Sequence, residues 1–247
     1  MRQRIDVRAN GLRFSVLEEG EGERLALCLH GFPELGHSWR HQLPLLARLG
    51  YRAWAPDLRG YGRSDRPRGT KAYAIETLMD DVEGLIEAAG AERATILAHD
   101  WGGVIAWWLA MRRPARVERL VCFNIAHPMP LARELKRFRQ LARFWYVAAF
   151  QIPGLGERWL SEDGYRRIDN AFLSTSVRPD RFTEEDLRVY REAAAQPGAL
   201  TAMLSYYRAY VLGGGLRRQL ALGCPVIEAP TLLIWGEHDV AQDKATT

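Results

Sequence analysis

Five short runs in this chain are apolar at almost every position: Arg24-Leu-Ala-Leu-Cys-Leu29, Tyr51-Arg-Ala-Trp-Ala55, Ala94-Thr-Ile-Leu-Ala98, Arg119-Leu-Val-Cys-Phe123 and Thr231-Leu-Leu-Ile-Trp235. Runs this short that do not alternate with polar residues predict strands buried on both faces. Helical periodicity falls between most of them, over Trp39 to Leu49, Ile75 to Ala89 and Val104 to Arg112. Strand and helix in alternation predict an α/β fold, a mostly parallel sheet with helices on both faces. Arg13 to Glu18 reads as an early antiparallel strand. Residues 128–218 break the pattern with helices and loops, so the chain divides into a core at 1–127, a helical insertion at 128–218 and a resumed, incomplete core at 219–247. Within the insertion, Leu131, Leu135, Phe138, Ala142 and Trp145 form an apolar stripe at helical spacing. Arg133, Lys136, Arg137 and Arg139 lie off it as a solvated face. An insertion placed there is expected to cap the C-terminal edge of the sheet, where ligands of open parallel sheets bind.

The chemistry is concentrated in Ala98-His99-Asp100-Trp101-Gly102, between a strand and a helix. Small residues around a central nucleophile are the pattern of the nucleophile elbow, a strained turn that lifts one side chain above the sheet. Here that side chain is a carboxylate. A serine attacking a saturated carbon would leave an ether that water cannot open, whereas a carboxylate leaves an alkyl ester whose own carbonyl can be hydrolysed. Asp100 therefore points to alkyl-carbon electrophiles, epoxides or alkyl halides. By itself the pattern leaves open a plainer role, an N-cap for the following helix.

Composition narrows the field. The 247 residues are 47% apolar and 26% charged, enough for one full core with an insertion. Thirty-four Lys and Arg against 30 Asp and Glu give a net +4 that is scattered along the chain, so nucleic acid is not an expected partner. No apolar run approaches membrane-spanning length and the N-terminus lacks a secretory pattern, which makes the cytoplasm the expected address. Cys28, Cys122 and Cys224 show no metal-ligand spacing and read as small apolar residues; no metal or organic cofactor is expected.

Four motifs then occur in order: His30-Gly-Phe-Pro-Glu34, Gly60-Tyr-Gly-Arg-Ser-Asp65, His99-Asp-Trp-Gly-Gly103 and Trp235-Gly-Glu-His-Asp239. Together they resemble the α/β-hydrolase superfamily, and within it the epoxide hydrolases, over nearly the whole chain. The resemblance implies an oxyanion hole from the backbone N–H groups of Phe32 and Trp101. It implies two cap tyrosines that bind the epoxide oxygen and supply its proton, placed by Phe144-Trp-Tyr146 and Ser205-Tyr-Tyr-Arg208 at Tyr146 and Tyr207. It also implies an acid, Asp239, that orients a catalytic histidine. Phe32, Trp101, Trp145, Phe150 and Tyr206 are the expected wall of an apolar pocket for a small hydrophobic epoxide. Haloalkane dehalogenases, the alternative within the fold, share the Asp-Trp-Gly elbow; many carry asparagine where Phe32 stands, and they lack the tyrosine pair. Fluoroacetate dehalogenases place arginine at the position of Trp101.

One expected part has no counterpart in the sequence. The family's histidine lies well downstream of the acid, and the chain extends only eight residues past Asp239. Neither His238 nor the other five histidines fits the triad geometry. The final strand and helix are expected to be missing too, leaving a sheet edge open to aggregation or to a partner, with a homo-oligomer as one such outcome. The expectation is thus an enzyme impaired in turnover, with a non-catalytic fragment as the alternative.

Overall fold

The structure is a computed structural model that describes residues 2–134 and 144–241. Strands β1 (Gln3–Ala9), β2 (Leu12–Glu19), β3 (Arg24–Leu29), β4 (Tyr51–Pro56), β5 (Ala94–His99), β6 (Val117–Phe123) and β7 (Thr231–Ile234) form one sheet in the order β1-β2-β4-β3-β5-β6-β7. β1 and β2 are antiparallel to their neighbours, and the ladder from β4 through β7 is parallel. The five apolar runs are all strands of this sheet. β1 was missed because Gln3 to Arg8 is charged at every second position; those side chains face solvent while Val7 and Ala9 are buried.

The helices of the core are α1 (Gln42–Arg48), α2 (Ile75–Ala88) and α3 (Asp100–Arg112). The helix expected over 39–49 is instead a 3-10 turn, Gly36–Trp39, followed by α1. β3 shows why its apolar run has no polar alternation. Leu25, Leu27 and Leu29 pack into the larger core, while Ala26 and Cys28 face the smaller one under Leu43 and Leu46 of α1. α3 is buried nearly all round, with Ile105 to Met111 all buried, because the sheet lies under it and the inserted helices lie over it. The Trp108 indole N–H donates to the Tyr210 hydroxyl at 2.9 Å across that second contact.

Between β6 and β7 the described elements are helical: α4 (Pro128–Glu134), α5 (Trp145–Phe150), α6 (Leu155–Leu173, kinked at Glu162–Tyr165), α7 (Glu184–Ala195), α8 (Ala199–Tyr210) and α9 (Gly215–Ala221). Most of the expected stripe, Leu135, Phe138 and Ala142, with Lys136, Arg137 and Arg139, lies outside the described residues; Trp145 instead opens α5. The insertion is tied to the core by His37, whose Nε2 is 2.9 Å from Asp186 Oδ1, and by Ser38 and Tyr190, whose hydroxyls are 2.9 Å apart. Among the described residues no strand pairs with the outer edge of β7, and Leu232 and Ile234 are exposed. No described helix is long and apolar enough to cross a membrane.

Candidate active site

The elbow is built by close backbone approach. β5 delivers Asp100 to the start of α3 with φ +48°, a region sparsely populated by residues other than glycine. A Cβ on Gly102 would stand 2.3 Å from the Leu29 carbonyl oxygen, one on Gly103 2.1 Å from Ile125 Cγ2, and one on Gly31 2.3 Å from Asp100 Cβ. Each of these contacts excludes a side chain. The capping role left open for Asp100 does not hold: His99 is the N-cap residue and makes no side-chain cap bond. Asp100 Oδ1 instead accepts the Phe32 backbone N–H at 2.7 Å, and the carboxylate also accepts the Trp101 backbone N–H. The two donors that the sequence assigned to an oxyanion hole thus converge on one carboxylate.

Burial raises the Asp100 pKa, opposed by the positive charge of His99 and by these two N–H donors. His99 itself is held charged. Burial would favour its neutral form, but the charge of Glu34 and a 3.0 Å contact from Nδ1 to Glu34 Oε2 lift its pKa to about 9. Glu34 responds in the opposite sense: burial disfavours its charge, yet His99 and the Gly31 N–H (2.9 Å) bring it down to about 2. This ion pair lies in the cavity wall beside Asp100. The sequence reading gives neither His99 nor Glu34 a role; each sits in one of the four motifs, and only the fold shows that the two motifs meet.

Above Asp100 opens a cavity of ≈ 1670 Å³. Phe32, Trp101, Trp145, Tyr146, Phe150 and Tyr207 all line it, so these six expected residues meet from four separate segments of chain. Tyr146 and Tyr207 approach each other from α5 and α8, with ring centroids 6.3 Å apart. Burial raises both phenols well above 10, and the charge of Asp100 raises each further, which puts both within electrostatic reach of that carboxylate. A side-chain hydrogen bond links Tyr207 to Trp101, whose indole N–H is the donor. Trp145 is 59% exposed and stands at the cavity's outer side against Trp159.

Tyr206 is not part of the wall, contrary to expectation. Successive residues leave a helix about 100° apart, and that rotation turns Tyr206 into the core while Tyr207 faces the cavity. Tyr206 is fully buried beneath it and donates its hydroxyl to the Arg59 carbonyl oxygen at 2.7 Å.

Asp239 follows β7 and lines the same cavity. Its Oδ2 accepts the side-chain N–H of Asn124, and its Oδ1 accepts the Ala241 N–H at 2.8 Å. Asn124 Oδ1 also accepts the Gly236 N–H at 3.0 Å, so one amide at the end of β6 holds the loop that carries the acid. Of the histidines, only His99 and His238 line the cavity among the described residues. His30 is buried and accepts the Leu58 N–H, His37 pairs with Asp186, and His127 accepts the Met129 N–H. No cluster of three or more His, Cys, Asp or Glu suited to a metal ion occurs among the described residues.

Comparison with known proteins agrees with this architecture. Residues 27–243 match the alpha/beta hydrolase fold family. The AB hydrolase superfamily protein YfhM of Bacillus subtilis is 42% identical over 236 residues, covering 94% of this chain and 80% of that protein. Epoxide hydrolase 4 of Mus musculus is 36% identical over 241 residues, covering 95% of this chain but only 65% of the mouse protein. Among solved structures, an epoxide hydrolase of Bacillus megaterium in complex with an inhibitor superposes with a TM-score of 0.88 at 32% identity, covering 99% of this chain and 86% of that one. The epoxide hydrolase VrEH1 of Vigna radiata gives 0.84 at 32% identity, with 97% and 81% coverage. The chain belongs to the α/β-hydrolase fold family and is an epoxide hydrolase-like member of it.

Proposed function

We propose that this protein opens epoxides by alkylating Asp100, with residues 128–218 serving as the cap that supplies the acid. The observation that carries this reading is the asymmetric grip on the nucleophile. Phe32 donates to Oδ1, which leaves Oδ2 as the oxygen that attacks an epoxide carbon. One carbon–oxygen bond forms to Oδ2 as the ring carbon–oxygen bond breaks. Oδ1 then becomes the ester carbonyl oxygen, already seated where tetrahedral charge would develop if water attacked.

The ring oxygen leaves as an alkoxide, too basic to depart without a proton or a strong hydrogen bond. Tyr146 and Tyr207 are the donors, and their raised pKa keeps them protonated across the neutral range. The apolar lining favours a hydrophobic substrate. The dehalogenase alternative is weaker: a halide needs no proton, and the Trp101 indole N–H that would hold it is donated to Tyr207.

Opening the ester needs a base. His99 stays an imidazolium up to about pH 9 and cannot take a proton from water at neutral pH. His238 is exposed beside Asp239. The 247-residue chain is therefore proposed to accumulate the alkyl-enzyme. Intact-mass measurement after incubation with styrene oxide should show one added epoxide mass on the peptide carrying Asp100, and none in Asp100→Ala; an unlabelled wild type would remove the proposal. Halide release from 1-bromobutane without any epoxide adduct would favour the dehalogenase.

A further inference from the structure

The proposed reaction asks two phenols on different helices to meet a single epoxide oxygen, and α5 is only six residues long. What fixes α5 against α8 is the side chain next to Tyr207. Arg208 leaves α8 on the face turned from the cavity and is only 8% exposed. Its Nε donates to the Phe150 carbonyl oxygen at 2.8 Å and its Nη2 to that of Ile152 at 3.4 Å. The last carbonyls of a helix lack intrahelical donors. Those of Val147, Ala148 and Ala149 are taken by the Gln151 side chain, the Gln151 N–H and the Ile152 N–H. Arg208 takes the next one, Phe150.

The same guanidinium forks onto Glu157 at the start of α6, Nη1 to Oε1 at 2.8 Å and Nη2 to Oε2 at 2.9 Å. Glu157 Oε2 also accepts the Gly154 N–H at 3.0 Å, closing the turn between α5 and α6. Contact here is tight, since a Cβ on Gly156 would lie 2.7 Å from Leu204 Cδ1 of α8 and 3.1 Å from Phe150 Cδ1. The Phe150 ring, whose carbonyl Arg208 holds, packs edge-on against Tyr146 at 5.5 Å and Tyr207 at 5.1 Å.

We propose that Arg208, through its fork onto Glu157 and its bond to the Phe150 carbonyl, is the positioning residue that sets Tyr146 and Tyr207 at the spacing one epoxide oxygen requires. The inference rests on the function proposed above. A purely structural brace would slow every reaction of Asp100 alike. A brace that positions the phenols slows only the reaction that needs their proton, because misplacement by about 1 Å costs on the order of 10²-fold.

The test compares two single-turnover reactions of the full chain, followed by intact mass: alkylation of Asp100 by styrene oxide and by 1-bromobutane. Arg208→Gln should slow the epoxide reaction by about tenfold or more while the bromide reaction stays within about threefold. Arg208→Lys should recover only part of the difference, since an ammonium cannot fork onto Glu157. Should Arg208→Gln not fold, Arg208→Leu with Glu157→Leu removes both charges together, leaving neither buried alone, and carries the same comparison. Equal loss in both reactions, no loss in either, or failure of all three variants to fold makes Arg208 a stabilising residue only and overturns the proposal. A wild type that reacts with neither reagent would remove the function itself, an outcome distinct from these.

Discussion

Each phenol of the pair can be removed without disturbing its packing, because phenylalanine keeps the ring and loses only the hydroxyl. Tyr146→Phe should slow epoxide alkylation of Asp100 by about 10-fold or more, and the double variant with Tyr207→Phe by about 10²-fold or more, measured as the rate of mass increase. The single variant at Tyr207 also frees the Trp101 indole N–H, so it should speed the bromide reaction relative to the epoxide one. The Glu34–His99 pair makes a separate statement about pH. Glu34 falls from 4.5 to about 2 on folding, so its stabilisation is complete above pH 4.5 and is lost as pH falls towards 2. His99 rises from 6.5 to about 9, so its stabilisation is complete below pH 6.5 and is lost as pH rises through 9. The pair is fully effective between those limits. His99→Gln should cost about 2 kcal/mol near pH 6, less than the ~3–5 kcal/mol of a fully buried pair because His99 is partly exposed. The deficit should shrink by pH 10, which denaturant melts at the two pH values would show. A deficit that grew with pH would reverse the assignment. Asp100 and the two tyrosines were legible in the sequence because each sits in a short local motif. Glu34 with His99 and Asn124 with Asp239 were not, since those partners lie 65 and 115 positions apart and nothing local announces that the sheet brings them together.

Among the elements, the core strands were the most legible, and β3 shows the physical reason. A strand covered on both faces has no polar side to display, so its burial on both sides is written as an unbroken apolar run. β1 has only one covered end and two buried residues, too weak a pattern to read without its partner β2. Helix faces were harder. In α8 the order Ser205-Tyr-Tyr-Arg208 places a phenol in the cavity, a second phenol in the core and a guanidinium against the α5–α6 turn. Which residue takes which direction depends on the rotation of the helix about its axis, and neighbouring elements set that rotation. The elbow is the opposite case. Gly31, Gly102 and Gly103 are each fixed by contact with a particular atom of Asp100, Leu29 or Ile125, so the spacing of glycines around Asp100 carries three-dimensional information. The turn is strained at Asp100, and the carboxylate it presents accepts the Phe32 N–H.

At the scale of the whole molecule the sheet is asymmetric. At one end, β1 is paired along its full length to β2 and packed against α2. At the other, β7 presents Leu232 (55% exposed) and Ile234 (43% exposed) with no described strand beyond it. An uncovered edge with apolar side chains offers unpaired N–H and C=O groups to any other strand. For the 247-residue chain the expected outcome is self-association through β7. Sedimentation velocity between about 1 and 100 μM should show mass increasing with concentration, the range in which exposed strand edges associate. Leu232→Lys should hold the protein monomeric over that range, because a charge on the edge opposes strand addition. It should leave the melting transition within about 0.5 kcal/mol of wild type, since the side chain is exposed. Association that persists unchanged in Leu232→Lys would place the contact elsewhere, and a monomer at every concentration would show that the edge is protected within the chain itself.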